Sequence, residues 1–443
     1  MSAPLPVLTQ AHMKIQGKTA AEIFESVRGL LQSGSLRAGQ ALPPVRDLAI
    51  ELDVNRNTVA AAYKRLATAG IALTQGRLGT IIRDPSGPRE QEGAQADTPL
   101  ADLASGNPDP AWLPDLTAAF AARPYVPRLY GEATVNPGLE DYAQGWFTPD
   151  CPAAFEINLT HGAVDAIERL LGSYLVSGDR VAVEDPCFLS SINMLRVAGL
   201  QPVGVPVDAE GMQAQALEAA LEKGARAVIL TPRAHNPTGC GLSAKRARAL
   251  ARVLARHPQV MVILDDHFAL LSEAAYHSAL APQTQRWALI RSFSKALGPD
   301  VRVALVASDA ATSRQLRTRL ASGTGWVSHL LQDMVEVTLG QPQVASQMAR
   351  ARQDYAARRR QLEDALREQG LPCLENGDGL NLWVPLDTDD QAVALALARK
   401  GWLVRHGGAF GVQGGINGLR ITLSGMTPAQ CRKLAQDIGH SLR

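Results

Sequence analysis

From Thr19 onward, apolar residues fall at Ile23, Phe24, Val27, Leu30 and Leu31. That spacing of three and four lays one stripe of a helix against a core, and Gly34 predicts where the helix stops. Leu42-Pro43-Pro44 opens a second helix with proline near its first turn, and Val45, Leu48, Ala49 and Leu52 turn inward. After Asp53-Val54-Asn55, a third helix buries Val59, Ala62, Tyr63 and Leu66 and ends at Gly70. Two short apolar runs follow, Ile71–Thr74 and Thr80–Ile82, joined by Gly76-Arg77-Leu78-Gly79. Glycines where a positive φ is needed predict a β-hairpin. Three helices and a hairpin in so short a stretch predict a winged helix-turn-helix, an all-α head with a β-wing, over residues 14–83.

Residues 84–101 are rich in proline, glycine and polar side chains and have no periodicity, the composition of a flexible linker. Beyond them the pattern changes. Apolar runs at Val181–Val183, Val203–Val207, Ala227–Leu230, Val260–Leu264, Trp287–Ile290 and Val303–Ala307 alternate with helical stretches at Ala163–Val176, Leu189–Ala198 and Ser243–Arg256. Continuous apolar strands alternating with helices predict an α/β body with a largely parallel sheet covered on both faces. From about Gln343 a long helix leads to runs at Leu380–Val384, Trp402–Arg405 and Leu419–Leu423 and a final helix, the pattern of a smaller α+β subdomain. The expected body is therefore 102–443, with a large subdomain to about 340 and a small one from about 341. No internal repeat is visible.

Composition narrows the class. The chain has 443 residues, 46% hydrophobic and 20% charged, which suits a soluble globular protein with a sizeable core. Its net charge of +1 hides an asymmetry. Residues 1–83 hold ten Lys or Arg against five Asp or Glu, so the remainder is acidic by four charges. A basic head on an acidic body is what a nucleic-acid-binding module produces. The five cysteines are scattered without a Cys-x-x-Cys pair, which excludes a disulfide framework and the usual zinc site and fits a reducing cytoplasm. Neither a signal peptide nor an apolar run long enough to span a membrane is expected.

The third helix of the head begins Asn55-Arg56-Asn57-Thr58. Taken singly, Asn55 is an ordinary helix cap. In a winged helix that end enters the major groove, where Asn and Arg present the donors that base edges require. Arg46, at the start of the preceding helix, suits a phosphate or a guanine. Lys64 suits a phosphate, and Arg77 at the wing tip a minor groove. Any of these arginines alone is more often a solvated surface charge; together on one face they point to DNA.

In the body, Thr160-His161-Gly162-Ala163-Val164 stands between a strand and a helix, where amides at a helix N-terminus can receive a phosphate. Lys295 follows Ser292-Phe293-Ser294 and precedes Arg302 by seven residues. A lysine so placed can form a Schiff base while the hydroxyls and arginine hold a phosphate; the plainer reading is a surface lysine. Asp265 ends an apolar strand, where a carboxylate needs a partner such as a protonated pyridine nitrogen, or serves as a helix cap. Asn236, in His235-Asn236-Pro237-Thr238-Gly239, can donate to a ring oxygen. Phe188, in Glu184-Asp185-Pro186-Cys187-Phe188, can stack on a ring or simply fill the core.

The head's Leu42-Pro43-Pro44-Val45-Arg46-Asp47-Leu48-Ala49, Val54-Asn55-Arg56-Asn57-Thr58-Val59 and Gly76-Arg77-Leu78-Gly79-Thr80 resemble the GntR-type winged helix. The body motifs resemble fold type I aminotransferases. The order head, linker, body resembles the MocR regulators over about residues 17–443, and within them a subgroup tied to vitamin B6 salvage and the pyridoxal kinase gene. The resemblance implies DNA contacts from Arg46, Asn55, Arg56, Asn57, Thr58 and the wing segment Arg77 to Gly79. It implies pyridoxal 5'-phosphate (PLP) bound covalently by Lys295, with Asp265 on the pyridine nitrogen, Asn236 near the 3-oxygen and Phe188 stacked. Ala163, Val164, Ser292, Ser294 and Arg302 then surround the phosphate, Tyr130 reaches it from a partner subunit, and Arg420 holds an effector carboxylate. It also implies a homodimer. One departure stands out: the tyrosine usual two or three residues after the aspartate is replaced by His267 and Phe268.

Three readings follow. The first is a transcriptional regulator whose body senses PLP or a PLP adduct and changes how paired heads meet operator DNA. The second is a working aminotransferase localised by its head. The third is a body that only dimerises. Lys295, Asp265, Asn236 and Arg302 argue against a degenerate pocket, and the head argues against a purely metabolic enzyme. The regulator, with slow side transamination compatible, is the expectation.

Overall fold

In the computed structural model, which describes residues 15–69, 71–74, 79–82, 92–93, 98–152, 154–374 and 377–442, the chain divides into two compact units, a head and a larger body. Helix α1 (Ala20–Gln32) begins at Thr19, whose hydroxyl accepts from the Glu22 amide while Glu22 accepts from the Thr19 amide. This reciprocal capping box satisfies two of the amides that a helix start leaves unpaired. Helix α2 (Val45–Glu51) follows Pro44, and α3 (Arg56–Thr68) follows Asn55, whose side chain accepts from the Asn57 amide at 2.8 Å. Strands β1 (Ala72–Thr74) and β2 (Thr80–Ile82) pair antiparallel. Gly79 stands at φ +76°, where a side chain would be strained. Gly70 and Gly76-Arg77-Leu78 lie outside the described residues. Ile23, Val27, Leu48, Ala49, Val59, Ala62, Tyr63 and Leu66 form the head's core, while Phe24, Leu30, Leu31, Val45 and Leu52 pack at its margin, half-buried.

The body opens with β3 (Ala101–Asp102) and continues with β4 (Glu156–Thr160), β5 (Arg180–Asp185), β6 (Gln201–Asp208), β7 (Gly211–Met212), β8 (Ala225–Leu230), β9 (Met261–Asp265), β10 (Trp287–Ser292) and β11 (Ala304–Ser308). Strands β4 to β11 form one eight-stranded sheet in the order β4-β11-β10-β9-β8-β5-β6-β7. The run β10-β9-β8-β5-β6 is parallel, as the unbroken apolar strands required. Only β11 and the short β7 run against their neighbours. Strand β4 escapes an apolar pattern because Asn158 sits in its middle. That buried amide is satisfied by Ser313 at 2.7 Å and Arg317 at 3.0 Å. Helices Ala163–Tyr174, Leu189–Val197 and Ala244–Ala255 lie where the spacing placed them and bury apolar stripes against the sheet.

The long helix Pro342–Glu368 leads to β12 (Asn381–Pro385), β13 (Trp402–Leu403), β14 (Arg405–His406), β15 (Gly418–Thr422) and the last helix, Pro428–Ser441. The single strand expected over Trp402–Arg405 is two. β13 pairs in parallel with β3, and β14 pairs antiparallel with β15. The chain's first body strand therefore packs with its last ones, and Leu103 joins the core formed by Leu382, Leu397, Leu419 and Leu434.

Beneath the carboxyl end of β9, Asp266 is fully buried. It accepts from Arg233 Nε at 2.7 Å and Nη2 at 2.8 Å, and from Arg291 Nε at 2.9 Å. The Arg291 guanidinium lies 4.9 Å from the rings of both Trp146 and Phe147 and donates to the Trp146 carbonyl at 2.7 Å. One carboxylate thus ties the loop after β8 and the end of β10 to β9. Removing it would leave the buried Arg233 without its carboxylate partner and Arg291 with Asp150 alone. Asp266→Ala is expected to destabilise the protein by about 3–5 kcal/mol, read from urea denaturation. A loss within 1 kcal/mol would show that the clamp is dispensable.

Candidate functional site

The carboxyl ends of β4, β5, β8, β9 and β10 share one edge of the sheet, the edge where parallel α/β sheets bind ligands. Each delivers a residue to a cavity of about 380 Å³. Ala163 and Val164 open the helix after β4, Phe188 and Ser190 come from after β5, and Thr231 and Asn236 from after β8. Asp265 ends β9 and His267 follows it, while Ser292 ends β10 and Ser294 and Lys295 open the short helix Ser294–Leu297. Strand β11 runs the other way, so its entry, not its exit, lies at this edge, and Arg302 just before it reaches the same cavity.

Lys295 Nζ donates to the Gly106 carbonyl at 2.7 Å. Burial holds its amine below the usual lysine range, with Arg420 pulling the same way and Glu92 opposing. Burial pushes Asp265 up to about 7, and the adjacent Asp266 adds to this. Its Oδ1 is buried without a hydrogen-bond partner among the described residues. His267 Nδ1 lies 4.0 Å from that oxygen. Burial, then the nearby Lys295, hold His267 down to about 4, so its ring is neutral at neutral pH. Below the site, burial pushes Glu184 up to about 8 and His235 down to about 3. Their 3.3 Å approach therefore joins two uncharged groups. Thr231 donates to Glu184 from its amide at 2.9 Å and its hydroxyl at 2.8 Å.

Another part of the cavity lining combines a helix start, an arginine and two hydroxyls. Ala163 starts its helix behind Gly162 at φ +93°, and the first amides of a helix lack internal partners. A Cβ on Gly162 would come within 2.7 Å of the Arg302 guanidinium, so only glycine lets that arginine close in. Arg302 itself holds φ +48°, a strained setting for a residue with a side chain, and donates to the His161 carbonyl at 2.9 Å. Ser292 and Ser294 stand 3.2 Å apart, hydroxyl to hydroxyl.

These observations fit a ligand with a cationic ring nitrogen at one end and a phosphate at the other. The unpartnered Asp265 oxygen would accept from the first. The helix start, the two serines and Arg302 would hold the second, leaving Lys295 within the same cavity for an aldehyde.

Arg420 is fully buried and joined to the cavity through two lining residues. Its Nη1 donates to Glu92 and, at 3.2 Å, to Asn236 Oδ1, and its guanidinium lies 5.1 Å from the Phe410 ring. Tyr130 is elsewhere. It is 92% exposed, packs edge-on against Trp326 at 5.5 Å and lines a separate cavity of about 520 Å³, so this chain's own fold does not bring it to Lys295. In the head, Arg46, Asn55, Arg56, Asn57, Lys64 and Gly79 are exposed and Thr58 is half-buried. Arg77 lies outside the described residues. Sequence reasoning did not single out Glu92, Gly106, Ser190 or Thr231. The turn-like Ser105-Gly106-Asn107-Pro108 carried a signal for Gly106. Glu92, inside a stretch read as linker, carried none.

Residues 104–438 match the family described as aminotransferase class I and II, and residues 19–82 match the bacterial regulatory proteins of the gntR family. The vitamin B6 salvage pathway transcriptional repressor PtsJ of Salmonella typhimurium is 57% identical over 428 residues, which cover 97% of this chain and 99% of that protein. The probable rhizopine catabolism regulatory protein MocR of Rhizobium meliloti is 24% identical over 84% of this chain and 80% of its own. The chain belongs to the MocR-type regulators. Like them it sets a gntR-family head before an aminotransferase-type body. Among solved structures, the kynurenine aminotransferase of Pyrococcus horikoshii superimposes with a TM-score of 0.70 over 78% of this chain and 92% of that one, at 21% identity, a likeness of fold. Among the described residues, no helix is long and apolar enough to cross a membrane, and no cluster of His, Cys, Asp or Glu is arranged to hold a metal ion.

The raised Asp265 has a measurable consequence. Its folded value, about 7, exceeds the ordinary 3.8, so folding favours its protonated form. The stability this contributes is complete below pH 3.8 and is lost as pH rises through 7. Asp265→Asn is therefore expected to raise the melting temperature of the unliganded protein at pH 8 and to flatten part of the decline above pH 4. Identical pH profiles for the two proteins would contradict the assignment.

Proposed function

We propose that this chain is a PLP-dependent repressor of vitamin B6 salvage, acting at the pyridoxal kinase gene. The single observation that carries the reading is a cavity holding both Lys295 and an unpartnered, buried Asp265 carboxylate, in a chain that begins with a gntR-family head. The near full-length similarity to a B6 salvage repressor supports the target. Bound in the cavity, PLP supplies an aldehyde for covalent attachment, a ring nitrogen and a phosphate dianion. Lys295 is the attachment point, and its lowered basicity favours the free amine that attacks an aldehyde. Asp265 fixes the proton on the ring nitrogen and regains, from that cation, the counter-charge it lacks. Asn236 serves the ring 3-oxygen and Phe188 one ring face. The amides of Ala163 and Val164 with Ser292, Ser294 and Arg302 hold the phosphate. His267, kept neutral, offers an N–H at the position where the family resemblance implies a phenol. Tyr130 acts only across a homodimer, from the partner's copy.

In the head, Arg56 and Asn57 reach base edges from the start of α3, together with Thr58 and the wing segment Arg77 to Gly79. Arg46 and Lys64 hold phosphates. Asn55 is committed through its carbonyl to capping α3, which leaves its NH₂ for DNA. The cofactor changes operator affinity only so far as it favours one arrangement of the paired heads over another. The alternative of a working aminotransferase with an attached head draws no support from the full-length relatives, which carry the names of regulators.

A footprint on the pyridoxal kinase promoter, titrated with PLP, tests this. Wild type should protect a site whose occupancy changes with PLP, and Lys295→Ala should protect it without responding. Arg56→Ala should weaken protection by about 1–3 kcal/mol while leaving the visible absorbance of the PLP-loaded protein intact. A protein that stays colourless with PLP defeats the cofactor assignment. Absence of any protected site near B6 genes defeats the regulator.

A further inference from the structure

Glu92 lies in the stretch that composition assigns to the linker, yet its carboxylate is in the cavity. It accepts from Asn236 Nδ2 at 3.1 Å and from Arg420 Nη1. Its side chain is only 11% exposed, while that of Arg420 is wholly enclosed. The other groups that Arg420 donates to among the described residues, the Ala104 carbonyl and Asn236, are uncharged, so Glu92 is the carboxylate among them that pairs with this buried guanidinium. A guanidinium enclosed without a counter-charge is strongly unfavourable, and Glu92 supplies one. The surroundings accommodate this one. Gly106, at φ +69°, faces the Glu92 carboxyl group so closely that any Cβ would collide with it. The next residue, Gly93, donates its amide to the Ser105 carbonyl at 3.0 Å, tying the segment down. Glu92 Oε2 is buried without a hydrogen-bond partner among the described residues, facing a cavity that Lys295 also lines.

Arg420 is the residue expected to receive an effector carboxylate. With Glu92 seated, it forms a neutral pair, and an incoming carboxylate must displace a tethered one. A tethered group competes at an effective concentration on the order of millimolar or more. We propose that Glu92 is a built-in carboxylate ligand of Arg420 that excludes amino acids, so that the cavity senses PLP itself rather than its amino-acid adducts. The device turns an amino-acid-processing pocket into a cofactor gauge without changing Lys295, Asp265 or Arg420. It rests on the reading of the cavity as a PLP site.

The test uses the full-length, PLP-loaded protein and two probes, L-alanine and ethylamine, which differ in the carboxylate. Either amine can take the place of Lys295 on the aldehyde carbon. One C–N bond forms, one breaks, and the Lys295 amine is released, all visible in the absorbance spectrum. In Glu92→Gln and Glu92→Ala, apparent affinity for L-alanine should rise about tenfold or more over wild type, the scale set by the tethered competitor. Affinity for ethylamine should stay within about twofold. Adding Arg420→Ala should abolish the gain. Glu92→Gln keeps a hydrogen-bonding group beside Arg420 and guards against a folding defect in the alanine variant, which circular dichroism would reveal. If wild type and both variants bind L-alanine equally, the inference is wrong while the cofactor reading stands. If both probes gain alike, Glu92 is a general gate and the inference is equally wrong. A wild type that never develops the absorbance band sinks both.

Discussion

Two arginines closing on one buried carboxylate hold the site together. Asp266 satisfies Arg233 and Arg291 at once, and so fixes the ends of β8, β9 and β10 against one another. With that triad fully hydrogen-bonded, the neighbouring Asp265 lines the cavity with no hydrogen-bond partner for its Oδ1 among the described residues. Adjacent residues on one strand end thus divide the work. Asp266 is neutralised within the fold, and Asp265 is left for something the fold does not supply. The direction of β11 follows the same economy: reversed in the sheet, it brings Arg302 to the edge where the parallel strands end.

Around this clamp the cavity keeps its charges few and separate. Glu184 and His235 meet uncharged beneath it, His267 stays neutral, and Lys295 is held below ordinary lysine basicity by burial. A low-dielectric pocket makes each remaining charge count for more. Asp265 and Arg302 both line this cavity. A pocket of this kind serves a sensor as well as an enzyme. What would separate the two uses is access for a second substrate, and the role proposed for Glu92 at Arg420 bears on that access.

Much of this was legible in the sequence because local rules agreed with the fold. The spacing of Ile23, Phe24, Val27, Leu30 and Leu31 signalled the first helix, and the apolar runs before Asp265 and Lys295 announced strands leading to polar residues. The misses share a cause. Asn158 hid β4 because its partners, Ser313 and Arg317, are more than 150 residues away in the chain. The run Trp402–Arg405 read as one strand because periodicity cannot show that two different strands, β3 and β15, claim its halves.

The sequence by itself determined most of the elements, the head's architecture and the body's class, because periodicity and short motifs are written within a few residues, and it marked Lys295, Asp265, Asn236 and Arg302, which line one cavity. Tertiary structure alone decided that Asp265 Oδ1 has no hydrogen-bond partner among the described residues while Asp266 has two arginines, that Tyr130 stands away from the cavity that Lys295 lines, and that Glu92 pairs with Arg420. Each of these depends on which distant side chain fills the neighbouring space, and burial then sets the charge. No local pattern encodes either.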